Sequence, residues 1–264
     1  MLLNITNTLL NISGGNLVYL AFLNGLIIAL LTSIGALIGL IGRGSSGKWI
    51  NLALGFASGI MLVASFTSLI LPAIEAGRLF DTSIGILIGI VLIISMDKML
   101  PHEHYILGYE GPVKFRGRIR KVWLLAIAMI IHNIPEGLAV GVATIYSPSL
   151  GVLTAIAIGI QDVPEGTAVT MPLYAVHGKA KMPLLIGILS GLVETIAAVS
   201  GAIAFIHLNN LLGIGMGLAG GAMIYVVVEE IFPEIFSERE KRSMPTIGFI
   251  IGLYVMLYLD TLLG

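Results

Sequence analysis

Two nine-residue segments hold most of the chemistry available to this chain. One reads His132-Asn133-Ile134-Pro135-Glu136-Gly137-Leu138-Ala139-Val140, the other Gln161-Asp162-Val163-Pro164-Glu165-Gly166-Thr167-Ala168-Val169. They form an internal repeat offset by 29 residues. On a helix, His132 and Glu136 stand at i, i+4 and share a face, with Asn133 three residues from Glu136. Gln161, Asp162 and Glu165 repeat that geometry. Pro135 and Pro164 cannot donate to the carbonyls of Ile131 and Ile160, and each ring bends its helix, so backbone oxygens become additional donors. A further acid, Glu194, stands in another apolar stretch, and Glu229 and Glu230 lie near the end of a fourth. One imidazole, two amides and the four carboxylates Glu136, Asp162, Glu165 and Glu194 suit a divalent cation such as Zn²⁺, Mn²⁺, Fe²⁺, Co²⁺ or Cd²⁺. Seven donors exceed a four-coordinate zinc site. Two adjacent ions sharing Glu136 or Glu165 would use them all. The plainer alternative is a polar cluster of protonated acids joining helices.

The elements that position these residues follow from composition. Of the 264 residues 57% are apolar and 11% charged, against about 25% charged in ordinary soluble chains. The chain reads as an all-α polytopic membrane protein. Eight apolar runs are long enough to cross roughly 30 Å of hydrocarbon: 17–41, 49–74, 82–100, 122–146, 150–176, 183–206, 211–234 and 244–263. Runs of this length without period-two alternation exclude barrel strands. Thirteen of the fourteen Lys and Arg fall in the first, third, fifth and seventh connections, and only Arg78 lies on the other side. The positive-inside rule then puts both termini outside and the one sizeable loop, 101–121, in the cytoplasm. Both nonamers begin about ten residues into their run, roughly 15 Å deep and near midplane.

Acids there are expensive, about 3 kcal/mol each on insertion scales and roughly 10 kcal/mol for the four. Every Lys and Arg sits in a connection or at a run end, so the acids either carry protons or surround a cation from outside the chain. Seven GxxxG pairs, at Gly35, Gly55, Gly85, Gly137, Gly187, Gly217 and Gly248 with the glycine four residues on, suggest close helix packing. The absence of cysteine excludes disulfides and thiolate ligands. A net charge of −1 gives no footprint for nucleic acid. The chain starts without a basic n-region, so a cleaved secretory signal is not expected. In the loop, His102, Glu103 and His104 could bind a metal weakly or lie solvated.

At the two nonamers the sequence resembles the ZIP (Zrt/Irt-like) family of divalent-metal transporters, in its GufA-like prokaryotic branch. HNIPEG and QDVPEG match that branch's metal-site motifs position by position, and the likeness covers nearly the whole chain. The resemblance implies a single domain over 1–264 in a 3+2+3 bundle, the first and last three spans related by an inverted pseudo-twofold. It implies that His132, Glu136 and Glu165 hold one ion with Met61 from the second span. Asn133, Asp162 and Glu194 would hold a second ion, with Glu136 or Glu165 bridging. Gln161 stands where other branches often have His, and Glu229-Glu230 where the family often has His-Glu, which favours a substrate range wider than zinc. His177, Glu229, Glu230 and Glu234 are candidates for an inner exit path. The metal is substrate rather than cofactor, and the setting is the plasma membrane.

Two rivals remain from the residues alone. An intramembrane metallohydrolase would use the metal to activate water, but no H-E-x-x-H occurs. A proton- or sodium-coupled antiporter built on Asp162 would leave His132 and the other donors without a role. No P-loop for ATP is present. A homodimer is left open.

Overall fold

The computed structural model describes residues 1–41, 47–104, 108–113, 121–237 and 242–263. Each of the eight apolar runs is helical. They comprise α2 (Leu17–Ile41), α3 (Gly47–Ala64) continued into α4 (Leu71–Glu75), and α5 (Leu79–Met99). After the loop come α6 (Lys121–Tyr146), α7 (Pro148–His177), α8 (Lys181–Ile206), α9 (Leu212–Tyr225) continued into α10 (Phe232–Phe236), and α11 (Ser243–Leu263). Among the described residues six helical stretches are long and apolar enough to cross a membrane: those of α2, α3–α4, α5, α8, α9–α10 and α11. The polar nonamers lie in α6 and α7, of 26 and 30 residues.

Three elements escape hydropathy reading. A short helix α1 (Leu2–Ile12) precedes the first run and lays Leu2, Ile5 and Leu9 on Leu153 and Ile156 of α7. It turns into α2 through Gly14 and Gly15, both at positive φ, and the Asn16 side chain accepts from the Tyr19 N–H at 3.0 Å. In the loop, β1 (His102–His104) pairs antiparallel with β2 (Gly108–Glu110), and His102 is buried rather than solvated. Finally, π-helical turns over Ser65–Ile70 and Val226–Ile231 join α3 to α4 and α9 to α10. Each is followed by a proline, Pro72 or Pro233. A proline ring clashes with the carbonyl four residues back. Here those are Ser68 and Glu229, and the widened turn accommodates the clash, with Leu71 and Phe232 donating five residues back to Phe66 and Val227.

The helices approach closely because glycines face backbone. The main pairs are α2 with α7 and with α8, α6 with α8, α3 with α11, and α5 with α9. All seven GxxxG pairs lie in such contacts. Gly55 and Gly59 of α3 meet Pro245 and Phe249 of α11, whose own Gly248 and Gly252 meet Leu52 and Phe56. The α5–α9 pair repeats this with Gly85 and Gly89 against Ile214 and Leu218, and Gly217 and Gly221 against Thr82 and Ile86. A Cβ at any of these eight glycines would collide with a carbonyl of the partner helix or, at Gly221, with its Cα as well. The site-bearing helices are held alike: Gly35 of α2 against Val163 of α7, and Gly137 of α6 against Glu194 of α8.

Overpacking of this kind typically costs 1–3 kcal/mol. Gly89→Val should therefore lower the thermal unfolding temperature of the purified protein in detergent by several degrees. Leu87→Ala, on the exposed face of the same helix, should leave it nearly unchanged.

Candidate metal centre

The two nonamers are presented by antiparallel neighbours. α6 ends at Tyr146 and α7 begins at Pro148, and this single-residue turn is held by Ser147 N–H donating to Ala143 and Gly151 N–H to Ser147. Pro148 in the first turn needs no acceptor there. Both helices run through Pro135 and Pro164 without interruption, so the site rests on continuous rods rather than on broken ones. α8 packs along α6 through Gly137, Gly141 and Ala198 and brings Glu194 beside Asn133. α2 closes the fourth side.

All the donors of the two motifs except His132 are buried. Exposure runs from 0% at Gln161 through 1% at Glu136 and Glu194 to 9% at Glu165, with only the His132 side chain reaching 12%. Glu136 faces both Glu165 and Asp162, and Glu194 faces Asp162 and Glu136, near enough for strong mutual repulsion if all were ionised. Among the described residues no Lys or Arg pairs with these four acids. The Glu194 carboxylate accepts from the Asn133 amide and, at 3.0 Å, from the Thr32 hydroxyl. Gln161 donates to Asp162 at 3.1 Å. Both oxygens of Glu136, one of Asp162 and the amide oxygen of Gln161 are buried without a hydrogen-bond partner. Orphaned oxygens cost about 1–3 kcal/mol each. A divalent cation with oxygen ligands would satisfy several together.

The arrangement departs from the simplest reading in two respects. Among the described residues no three His, Asp or Glu side chains already stand in a ready coordination shell. The His132 imidazole also has partners outside the two motifs. Its Nε2 lies 2.9 Å from Glu230 on the second π turn, and its Nδ1 lies 2.7 Å from the Ala128 carbonyl. Glu230 is thus next to the centre, while neighbouring Glu229 is exposed and Glu234 half-buried. Met61 is fully buried one turn before the first π turn, in the central cluster with Ala139 and Val140 of α6 and Ile158 of α7. The side chain of His177 lies outside the described residues.

Two residues carry more than the sequence indicated. Asp97, on the last turn of α5, is 12% exposed, with His102 Nε2 3.9 Å away. The same nitrogen lies 3.8 Å from Glu110 of β2. These acids border a cavity of about 380 Å³ lined also by Lys98, Tyr109 and Tyr225. At the end of an apolar run beside a lysine, Asp97 looks like an ordinary helix terminus. The other is Thr32, which reads as one hydroxyl in an apolar helix until α8 is set beside it.

A model described as ZIP Zinc transporter matches residues 109–260. Zinc transporter ZIPB of Bordetella bronchiseptica is 36% identical over 250 residues, spanning 88% of this chain and 78% of its own. Zinc transporter GufA of Myxococcus xanthus is 34% identical over 209 residues, 75% of this chain and 80% of its own. Zinc transporter ZupT of Chlorobaculum parvum is 32% identical over 261 residues, 89% and 94% of the two chains.

If the orphaned carboxylates receive a cation, binding must displace whatever protons they hold. Titrating Zn²⁺ into the purified protein in buffers of different ionisation enthalpy should show proton release. Affinity should fall as the solution is acidified. Glu136→Gln should abolish most of the proton release, and a pH-independent affinity in the wild type would contradict the arrangement.

Proposed function

The chain belongs to the ZIP zinc transporter family, and from that premise we propose that it carries Zn²⁺ into the cytoplasm through the acid cluster shared by α6, α7 and α8. As a member of that family it is a multi-pass membrane protein that moves divalent metal ions. The observation that carries the finer reading is the set of buried, unpartnered oxygens of Glu136, Asp162 and Gln161. A structural cluster would pair its polar atoms internally. A carrier leaves donors for its cargo.

In this reading one ion binds among His132, Glu136, Glu165 and Met61. A second binds among Asn133, Asp162 and Glu194, with Glu136 or Glu165 bridging and Gln161 contributing its amide oxygen. His132 reaches the first subsite by leaving Glu230, so its 2.9 Å contact with Glu230 marks the side on which metal departs. Asp97, Glu110 and the cavity they border continue that path toward the cytoplasm, with His177, Glu229 and Glu234 along it. Replacement of imidazole by Gln161 and Glu229 shifts the donor set toward oxygen, which suits Mn²⁺ and Fe²⁺ as well as Zn²⁺ and Cd²⁺.

The bundle is a single domain of eight spans with both termini outside, arranged 3+2+3. Exchanging α2 with α8, α3–α4 with α9–α10, α5 with α11, and α6 with α7 maps α3–α11 onto α9–α5 and α2–α7 onto α8–α6. All four are principal contacts, and the exchange also superposes the two π turns in the chain order. The distribution of Lys and Arg supports the orientation. The metal gradient or a coupled ion drives the movement.

Uptake of ⁶⁵Zn²⁺ and of Mn²⁺ into proteoliposomes tests this. Wild type should accumulate both ions, Glu136→Ala should fall to the background of empty vesicles, and Glu230→Gln should slow release without removing binding. Tight metal binding with no uptake of any divalent ion would refute the carrier reading.

A further inference from the structure

Small residues wedge α2 between α7 and α8, and the polar atom delivered by that wedge is the Thr32 hydroxyl. On one side Gly35 lies against the Val163 carbonyl, and Thr167 of α7 donates to the Gly35 carbonyl at 2.9 Å. On the other, Gly191 of α8 lies against Ala29, and Thr195 donates to the Gly25 carbonyl at 2.9 Å. Gly166 of α7 sits against the Thr32 carbonyl itself. These contacts fix the height of Thr32 relative to both neighbours. Its side chain is 1% exposed.

Most hydroxyls on these helices merely turn back to a carbonyl three or four residues earlier, as Ser33 does to Ala29 and Thr67 to Val63. Thr32 shares that habit, with Ile28 at 2.9 Å. It differs in also standing 3.0 Å from Glu194 Oε2. The hydroxyl therefore holds one of the two carboxylates assigned above to the second ion, from a helix that supplies neither motif. Asn133 holds the other oxygen of Glu194.

From this placement we infer that Thr32 is a positioning residue of the second cation subsite, its hydroxyl fixing the Glu194 carboxylate in the orientation in which it shares an ion with Asp162. The inference rests on the two-ion reading of the centre. An unheld glutamate on α8 has three side-chain torsions to order before it can ligate, whereas one tethered at Oε2 presents its remaining lone pairs in one direction. Loss of such a tether typically weakens a metal site by about 10–100-fold.

The test is calorimetric titration of the purified, full-length protein in detergent with Zn²⁺ alone, alongside proteoliposome uptake. Wild type should bind two ions, and Glu194→Gln should lose one of them. Thr32→Val, which keeps the shape and removes the hydroxyl, should weaken that same ion by about 10–100-fold while leaving the other unchanged. Thr32→Ser should restore it. In uptake, Thr32→Val should alter the dependence on Zn²⁺ concentration without the complete loss expected of Glu136→Ala. Two ions bound normally by Thr32→Val would overturn the inference, as would equal impairment of Thr32→Val and Thr32→Ser, which would mark a packing effect. A wild type that binds a single ion would overturn the two-ion reading itself, and this inference with it.

Discussion

Four carboxylates held out of water with no lysine or arginine beside them are the constraint on which the rest of this structure depends. Inside a bundle of apolar helices their ionised forms repel one another and have lost the solvent that would screen them. The chain answers with amides and hydroxyls. Asn133 and Thr32 go to Glu194 and Gln161 goes to Asp162, while Glu136 is left with both oxygens unpaired. Neutral donors steady a carboxylate without neutralising it, so the cluster keeps an appetite for positive charge. An internal arginine would have removed that appetite along with the repulsion.

Holding such a cluster in place requires rigid walls, and the walls are built from very small residues. Lipid gives helices no hydrophobic reason to associate. Close backbone approach supplies the dispersion contacts instead. Glycines at α3–α11 and α5–α9 form two matched seams away from the acids, while Gly35, Gly137 and Gly191 draw the polar helices together around them. The same economy explains why Thr32 and Glu194 meet: neither side chain needs to reach far when backbones lie this close.

Much of this was legible in the sequence. The paired nonamers and the apolar runs follow from spacing and composition, because a membrane imposes length and polarity rules on every segment. The partner of His132 could not be read there. Its link to Glu230 joins residues almost a hundred positions apart and depends on the phase of a π turn, which hydropathy does not register. Thr32 was equally silent, since one hydroxyl among apolar residues means little until α8 is docked. For the loop histidine His102 the sequence leaves a weak ligand and a solvated residue both open, and its burial on the first strand of the hairpin comes from tertiary folding. The glycine pairs were suggestive singly. Their mutual registration across two seams is what gives them meaning.

The two π turns have an effect on angular bookkeeping along their helices. An α-helix advances about 100° per residue, and a π turn absorbs an extra residue without advancing the helix by a full step. The rod formed by α9 and α10 is therefore two faces spliced out of phase. Its upper half aims Gly217 and Gly221 at α5, while the π turn that ends it aims Glu230 at His132. Closing either turn to ordinary pitch would swing one half of the rod by roughly a quarter-turn relative to the other, so the splice works like a fixed coupling between two shafts, and its length in residues is what sets the aim.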